Sequence, residues 1–178
     1  MLTLEKVTPR NVYAVMRLTV AEAQRDFVAT NTESLAEAYA TVTAGGVALP
    51  FAICADGTPV GFVMIGYGDA DWEDAPAIAR DNYCIWRFMI DQAQQGKGYG
   101  RQAMRLILDY IATRPCGEAE SCYLSYEPEN TVAKALYASF GFRENGETDG
   151  TEVIAVRPMP QGSARQSIIR DGCDGHGR

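Results

Sequence analysis

The segment from Gln95 to Arg101, Gln-Gly-Lys-Gly-Tyr-Gly-Arg, combines three glycines with two cationic side chains. Glycine lets the backbone approach an anion without a Cβ clash, and the helix predicted to follow adds the positive end of its dipole. The spacing is neither the dinucleotide-binding fingerprint G-x-G-x-x-G nor the P-loop, which ends in Gly-Lys-Ser or Gly-Lys-Thr. The segment predicts an anion site suited to a pyrophosphate, the alternative being a loop that only turns the chain into a helix.

A tyrosine that could donate a proton lies on a later predicted helix, residues 131–140. The core stripe predicted for that helix consists of Val132, Ala135, Leu136 and Phe140. At about 100° per residue, Tyr137 lies off this stripe, on the same side as Asn130, Ala133 and Lys134. A phenol with a pKa of about 10 stays protonated at neutral pH and can donate to a leaving group that gains negative charge. Tyr137 is a candidate general acid, the alternative being that it only packs against the sheet.

Strands and helices alternate around these residues. Residues 83–90 are apolar on both faces apart from Arg87, which indicates a buried central strand directly before the glycine segment. The helix after that segment has an apolar stripe formed by Met104, Ile107, Leu108 and Ile111. Further strands are predicted at residues 1–8, 51–55, 58–67, 122–126, 142 onward and 151–156, with turns at Asp56-Gly57 and Asn145-Gly146. This order predicts an α/β (α+β) fold.

Two short helices are predicted before the main sheet. The first depends on the spacing i, i+3, i+4, i+7 of Val12, Val15, Met16 and Thr19. The second is preceded by Ser34-x-x-Glu37, which has the spacing of a capping box. Its predicted apolar stripe consists of Leu35, Ala38, Tyr39 and Val42.

Length and composition indicate one compact domain, because the chain has 178 residues and is 47% hydrophobic. We expect this domain at 1–160, followed by a flexible tail at 161–178 that is rich in Gly, Ser, Arg and Asp. The formal charge of −7 disfavours nucleic-acid binding, and no apolar run has the length of a membrane span. Without a signal-peptide pattern, a cytoplasmic location is expected. The five scattered cysteines lack ligand spacing, which predicts reduced thiols and no metal site.

The pattern Gln95-x-x-Gly98-x-Gly100 matches Q/R-x-x-G-x-G/A, the acetyl-CoA signature of the GCN5-related N-acetyltransferase (GNAT) family, which the chain resembles. The resemblance continues through Ser125 to Asn130 and through Leu136-Tyr137-x-x-Phe140-Gly141-Phe142. It implies the GNAT fold, a mixed central sheet of about six to seven strands with helices on both faces. It also implies acetyl-CoA (coenzyme A) as co-substrate, without a metal, and transfer of the acetyl group to a primary amine.

The resemblance further implies a set of cofactor contacts. Backbone groups at the end of the central strand would hold the pantetheine arm, and amides of the glycine segment with Arg101 would hold the pyrophosphate. Asn130 would contact the arm from the other side, and Tyr137 matches the family's general acid. The full expected set is Phe88, Met89, Ile90, Gln95, Gly96, Lys97, Gly98, Tyr99, Gly100, Arg101, Asn130 and Lys134.

The acceptor must attack as a neutral amine, although an alkylamine with a pKa of about 10.4 is mostly protonated at pH 7. His176, the only histidine, falls in the expected tail, so neither a histidine base nor a Ser-His-Asp triad is expected. Glu127, just past a predicted strand, is the candidate to take the proton, through water. The alternative is that Glu127 is a solvated turn residue or a helix-capping charge.

Acidic side chains near the acceptor would favour a small cationic amine. The expected substrate-binding residues are Glu22, Asp26, Glu37 and Asp69, each of which could instead belong to a solvated face. Residues 24–29, 34–39 and 126–130 are similar to bacterial spermine/spermidine acetyltransferases, although Thr30 stands where a proline is expected. The similarity favours a polyamine over an aminoglycoside or a peptide or protein amine, and over a noncatalytic acyl-CoA sensor. The strands after Phe142 could pair two subunits in a homodimer.

Overall fold

The computed structural model describes residues 1–68, 72 and 75–160. Asp69 and the predicted tail, residues 161–178, lie outside the described residues. The strands within the described part are β1 (Leu2–Lys6), β2 (Val47–Ala55), β3 (Thr58–Tyr67), β4 (Tyr83–Ile90), β5 (Ser121–Tyr126), β6 (Arg143–Asp149) and β7 (Glu152–Pro158). Its α-helices are α1 (Val12–Met16), α2 (Asn31–Thr43), α3 (Tyr99–Ala112) and α4 (Thr131–Ser139), and its short 3-10 segments are Glu22–Phe27, Ala77–Ala79 and Gln92–Gln94. None of these helices combines the length and apolar composition of a membrane-spanning helix.

The strands form one mixed sheet in the order β1-β2-β3-β4-β5-β7-β6, which confirms the predicted fold class. All neighbouring pairs are antiparallel except β4 and β5, which run parallel. The predicted Asp56-Gly57 turn joins β2 and β3, with φ of 49° and 80° that suit a tight hairpin. Strand β6 is one edge of the sheet, and its pairing with a second subunit stays a prediction.

The parallel pair β4–β5 separates soon after it begins. Only Tyr83 with Cys122 and Cys84 with Tyr123 are in register, and the strands diverge beyond them. A β-bulge contributes, because β3 pairs with Arg87 and Ile85 while Trp86 is the extra residue, and a bulge bends its strand. We call the opening between residues 85–90 of β4 and the end of β5 the strand gap. Within the described residues, backbone groups of β4 that face this gap have no ladder partner on that side.

Helices cover both faces of the sheet. On one face, α3 and α4 pack over the largest core cluster, and the predicted α3 stripe is confirmed by the burial of Met104, Ile107, Leu108 and Ile111. On the other face, α1 and α2 cover Phe62, Met64 and Met89, while the segment Ala77–Ala79 covers Tyr123 and Ile154. The strand gap interrupts the sheet between these two layers.

The start of α2 differs from the prediction. Thr30 is the N-cap, accepting from the Glu33 amide at 3.2 Å, and Glu33 accepts from the Thr30 amide at 2.9 Å. Ser34, predicted as the cap, is buried, and its hydroxyl donates to the Thr30 carbonyl at 2.9 Å. Starting the helix earlier turns Asn31, Ser34, Ala38 and Thr41 inward, so the predicted core residues Tyr39 and Val42 are 75% and 57% exposed.

Two other local predictions are wrong. Helix α1 ends at Met16, which is 37% exposed, so Thr19 is not part of it. The β6–β7 turn lies between Asp149 and Glu152, because Asn145-Gly146 forms a bulge within β6. The Asn145 side chain accepts from the Glu147 amide at 3.0 Å, so the Asn-Gly pair bends the strand locally instead of reversing it.

Candidate active site

A cavity of about 920 Å3 lies at the strand gap. One end is formed by the glycine segment and the start of α3, and the other by the ends of β5 and β6 and the start of β7. Residues 85–90 of β4, helix α4, the segment 24–29 and Glu33 of α2 also line it. The predicted site residues that line it are Asp26, Phe88, Met89, Ile90, Gln95, Gly96, Gly98, Tyr99, Gly100, Asn130 and Tyr137.

The glycine segment is built as an anion cradle. Gly96 and Gly98 have φ of 76° and 77°, a conformation that residues with a Cβ avoid. Gly98 caps α3, and no side chain in the described part of the chain accepts a cap hydrogen bond there, so the first-turn amides stay available to a ligand. These amides and the helix dipole face the cavity where Tyr99 and Gly100 line it, which suits the pyrophosphate of coenzyme A.

Gln95, the first residue of the signature, positions this loop. Its Nε2 donates to the Ile90 carbonyl at 3.0 Å and to Gln24 Oε1 at 2.8 Å, which ties the end of β4 to the segment Glu22–Phe27. Lys97 and Arg101 do not line the cavity. The Lys97 ammonium donates to Gln94 at 2.8 Å, and Arg101 lies 5.5 Å from the ring centre of Phe140. Both cations are therefore near the rim.

Tyr137 is the buried residue of α4, with 8% of its surface exposed. Its ring centre lies 5.6 Å from that of Tyr126 and 6.2 Å from that of Phe142. Burial, and then the negative charge of Glu152, raise the pKa of the Tyr137 hydroxyl well above its ordinary value. The phenol therefore keeps its proton at neutral pH and can act only as a donor of that proton.

The predicted core stripe of α4 is confirmed at Leu136 and Phe140, which pack against the core cluster, and is wrong at Val132 and Ala135. Val132 is 73% exposed and Ala135 is exposed, whereas Tyr137 packs inward. The helix rests on the sheet through the Tyr137 face because the strand gap and its cavity lie beneath that face. The expectation that Tyr137 and Ala133 share a side is consistent with this arrangement, since both line the cavity.

Asn130, Lys134 and Glu127 surround the start of α4 in different ways. Asn130 caps the helix through Oδ1, which accepts from the Ala133 amide at 3.2 Å, so Nδ2 is the end that can donate into the cavity. Lys134 lies outside the cavity and pairs with Glu144 at 2.8 Å. Glu127 also lies outside it, and its Oε1 accepts from the Thr151 hydroxyl at 2.8 Å. The role predicted for Glu127 stays a prediction.

Only part of the predicted substrate set reaches the cavity. Asp26 lines it, Glu22 does not, and Asp69 lies outside the described residues. Glu37 pairs with Arg87, whose Nη2 lies 3.0 and 3.2 Å from the two carboxylate oxygens. The guanidinium of Arg87, which lines the cavity, therefore neutralises Glu37.

Two acidic residues that line the other end of the cavity, Asp149 and Glu152, are not among the predicted site residues. Asp149 and Glu152 line it together with Ser125, and Glu33 lines it from α2. Asp149 is directly opposite Glu152 in the β6–β7 ladder, so both side chains lie on one face of the sheet. The Asp149-Gly150 dipeptide is a turn signal of the same kind as Asp56-Gly57, and it could have revealed this pair.

Comparisons with known proteins agree with this arrangement. Residues 12–142 match the acetyltransferase (GNAT) family. A spermine/spermidine N(1)-acetyltransferase of Bacillus subtilis strain 168 is 30% identical over 161 residues, which cover 89% of this chain and 99% of the relative. A [ribosomal protein bS18]-alanine N-acetyltransferase of Haemophilus ducreyi is 26% identical over 50% of this chain and 56% of the relative.

The fold also matches solved structures. The aminoglycoside acetyltransferase AAC(6')-Ib in complex with coenzyme A superimposes with a TM-score of 0.73 at 20% identity, covering 89% of this chain and 95% of that chain. The PaiA N-acetyltransferase of Thermoplasma acidophilum, in complex with coenzyme A, gives a TM-score of 0.59 at 15% identity, covering 89% and 99%. These structures share the fold. The family match over residues 12–142 and the Bacillus subtilis relative establish that this chain belongs to the GNAT family and is an acetyl-CoA-dependent N-acetyltransferase.

Proposed function

We propose that this protein acetylates a primary amine of a polyamine such as spermidine or spermine, with Tyr137 as the general acid. The observation that carries the proposal is the cavity at the strand gap, which joins an anion cradle at one end to two carboxylates at the other. A cofactor with a pyrophosphate suits the first end, and a cationic amine suits the second. The 30% identity to the Bacillus subtilis spermine/spermidine acetyltransferase supports the choice of polyamine.

The expected binding residues divide between the arm and the pyrophosphate. Backbone groups of Phe88 and Ile90 border the strand gap, so they can hydrogen-bond an extended amide-containing arm laid beside β4. Amides of the glycine segment and of the first turn of α3 would hold the pyrophosphate, with Lys97 and Arg101 adding charge at the rim. Asn130 Nδ2 would contact the arm from α4.

Acetyl-CoA would supply a thioester whose carbonyl carbon an amine can attack and whose sulfur gains negative charge as it leaves. The Tyr137 hydroxyl, protonated and buried at the cavity wall, would donate its proton to that sulfur. The carboxylates of Asp149 and Glu152 would concentrate cationic acceptors at the same cavity. A binding module without turnover would have no use for a buried proton donor at this position.

The test is release of free CoA thiol from acetyl-CoA by the purified protein, measured with separate acceptors. The panel contains spermidine, spermine, an aminoglycoside, a lysine-containing peptide and no acceptor. We expect turnover with the two polyamines at a kcat/KM at least about tenfold above that of the other acceptors, a difference of about 1.4 kcal/mol. Turnover confined to the aminoglycoside or the peptide would assign another amine. Tight acetyl-CoA binding without turnover would indicate a sensor.

A further inference from the structure

The sheet places Tyr137 and Glu152 against opposite faces at the strand gap. Alternate residues of a strand point to opposite faces, so Tyr126 and Ser125 point apart. Tyr126 belongs to the core cluster with Tyr137, beneath α3 and α4. The Ser125 hydroxyl donates to Glu152 Oε2, which places the Glu152 carboxylate on the face that α1 and α2 cover. Both Tyr137 and Glu152 line the same cavity, one from each side.

The Glu152 carboxylate is held in one orientation. Its Oε2 accepts from Ser125, and Ser125 and Glu152 are on neighbouring strands, so this hydrogen bond fixes the side chain against the sheet. No hydrogen bond of the other oxygen, Oε1, to a described residue is present, so Oε1 can interact with a ligand in the cavity that Glu152 lines. An oriented carboxylate with one free oxygen is suited to accept a proton from a bound ammonium group.

The charged groups around Glu152 come from several elements. Asp149 on β6 and Glu127 after β5 both act on it with negative charge, and Arg87 on β4 acts with positive charge. Burial, together with Asp149 and Glu127, raises the pKa of Glu152 against the opposing effects of Ser125 and Arg87. The carboxylate is thus a stronger base than an exposed glutamate.

We propose that Glu152 accepts the proton that the acceptor ammonium must lose before it attacks. The inference rests on the proposed function and names the group that performs one of its steps. An N–H bond of the ammonium breaks, its electron pair remains on nitrogen, and an O–H bond forms at Glu152 Oε1. Solvent at the open side of the cavity then takes the proton from the carboxyl. Tyr137, on the opposite face, is left to protonate the departing sulfur.

Asp149 lines the same cavity as Glu152 but has a different role. Two like charges directly opposite each other in an antiparallel ladder destabilise the sheet. A cation bound between Asp149 and Glu152 would relieve that repulsion, which suits an acceptor carrying more than one ammonium group. We expect Asp149 to bind a positive charge of the acceptor without taking its proton.

Glu127, the proton acceptor expected from the sequence, is placed less directly. It lies outside the cavity lining, and its Oε1 is engaged by Thr151 at 2.8 Å. Glu152 lines the cavity itself. The two carboxylates are close enough to influence each other's charge, so their roles must be separated by pH dependence instead of by loss of activity alone.

The experiment measures kcat/KM for spermidine between pH 6 and 10 in the wild type, Glu152→Gln, Glu127→Gln and Asp149→Asn. At pH 7 we expect Glu152→Gln to lose about a hundredfold in kcat/KM. The loss should shrink to within about tenfold at pH 10, where much of an amine with a pKa of about 10.4 is already neutral. Asp149→Asn should raise KM at every pH, and its difference from the wild type should not shrink as the pH rises. Calorimetric titration of spermidine into CoA-saturated protein should find weaker binding for Asp149→Asn.

Each outcome decides between the alternatives. A Glu152→Gln loss that is constant across the pH range, with acetyl-CoA binding intact, would mean that Glu152 has only a structural part. If the loss in kcat/KM instead shrinks with rising pH in Glu127→Gln and stays constant in Glu152→Gln, Glu127 is the residue that accepts the proton. Both results would overturn this inference while leaving polyamine acetylation standing. A wild type that is inactive on every amine would instead remove the proposed function itself.

Discussion

Replacing Tyr137 with Phe tests the chemical step without disturbing the fold. The ring would keep its contacts with Tyr126 and Phe142, at 5.6 and 6.2 Å between centres. Only the hydroxyl is lost, and among the described residues it has no hydrogen-bond partner that the change would leave unsatisfied. The free energy of unfolding should therefore change by less than about 1 kcal/mol. Acetyl-CoA affinity should also stay within about twofold of the wild type.

The magnitude of the kinetic effect follows from the role of the hydroxyl. A positioned general acid contributes about 10²–10⁴-fold, so kcat should fall by that factor, equivalent to about 3–5 kcal/mol. Because burial and Glu152 raise the pKa of Tyr137, the wild type should show no loss of kcat from tyrosine ionisation below about pH 10. The raised pKa therefore separates Tyr137 from an ordinary exposed tyrosine.

The assay is CoA thiol release at saturating acetyl-CoA and polyamine, with acetyl-CoA affinity measured by calorimetry. Tyr123→Phe is the matched control, because Tyr123 is 6% exposed, compared with 8% for Tyr137, but does not line the cavity. We expect its kcat within about threefold of the wild type, far from the loss expected for a general acid. A Tyr137→Phe kcat within about twofold of the wild type would mean that another group protonates the sulfur and that Tyr137 is not the general acid.

Gly98→Ala should lower the free energy of unfolding by about 1–2 kcal/mol, because φ is 77° there, and should weaken acetyl-CoA binding measured by calorimetry. Glu37→Gln should cost about 1–3 kcal/mol in urea unfolding, because it leaves the half-buried Arg87 cation with a weaker partner. Burial, followed by the hydrogen bond to Glu144, raises the pKa of Tyr126 to about 12, above the unfolded value of about 10. Stability should therefore fall between pH 10 and 12 in urea unfolding, and fall less steeply in Tyr126→Phe.

Each of these predictions has a control or a contradicting result. Gly45→Ala changes a glycine with φ of 87° at the end of α2, so it should cost similar stability and leave acetyl-CoA affinity intact. Lys134→Met breaks the exposed pair with Glu144 and should cost less than about 1 kcal/mol. If Lys134→Met lowered the free energy of unfolding as much as Glu37→Gln does, the partial burial of the Arg87–Glu37 pair would not explain its larger contribution. An unchanged pH slope in Tyr126→Phe would mean that this tyrosine does not titrate with unfolding.

The parts of the fold that sequence patterns predict well are those fixed by local periodicity and turn chemistry. The central strand, the α3 stripe and the Asp56-Gly57 hairpin follow from apolar spacing and from residues that accept positive φ. The glycine segment is predictable too, because its local spacing of glycines and cationic side chains by itself indicates an anion site. Local sequence patterns could not predict the strand gap, because it depends on a parallel pair and a bulge formed by residues far apart in the chain.

Errors in the candidate site arose where two local signals competed. Thr30-x-x-Glu33 and Ser34-x-x-Glu37 have the same spacing, and burial of Ser34 decides between them. Choosing Asn145-Gly146 as the turn shifted the last hairpin and concealed the pairing of Asp149 with Glu152. On α4, helical spacing placed Tyr137 on the cofactor side with Asn130 and Ala133, and all three line the cavity. It wrongly assigned Val132 and Ala135 to the core, because tertiary packing turned Tyr137 inward instead.

The most direct measurement is mass spectrometry of the polyamine after incubation with the protein and acetyl-CoA. We expect spermidine to gain one acetyl group, in proportion to the CoA released. This product should largely disappear when Tyr137→Phe replaces the wild type for the same time. Spermidine that remains unmodified while acetyl-CoA stays intact or is merely hydrolysed would mean that the protein does not acetylate this polyamine.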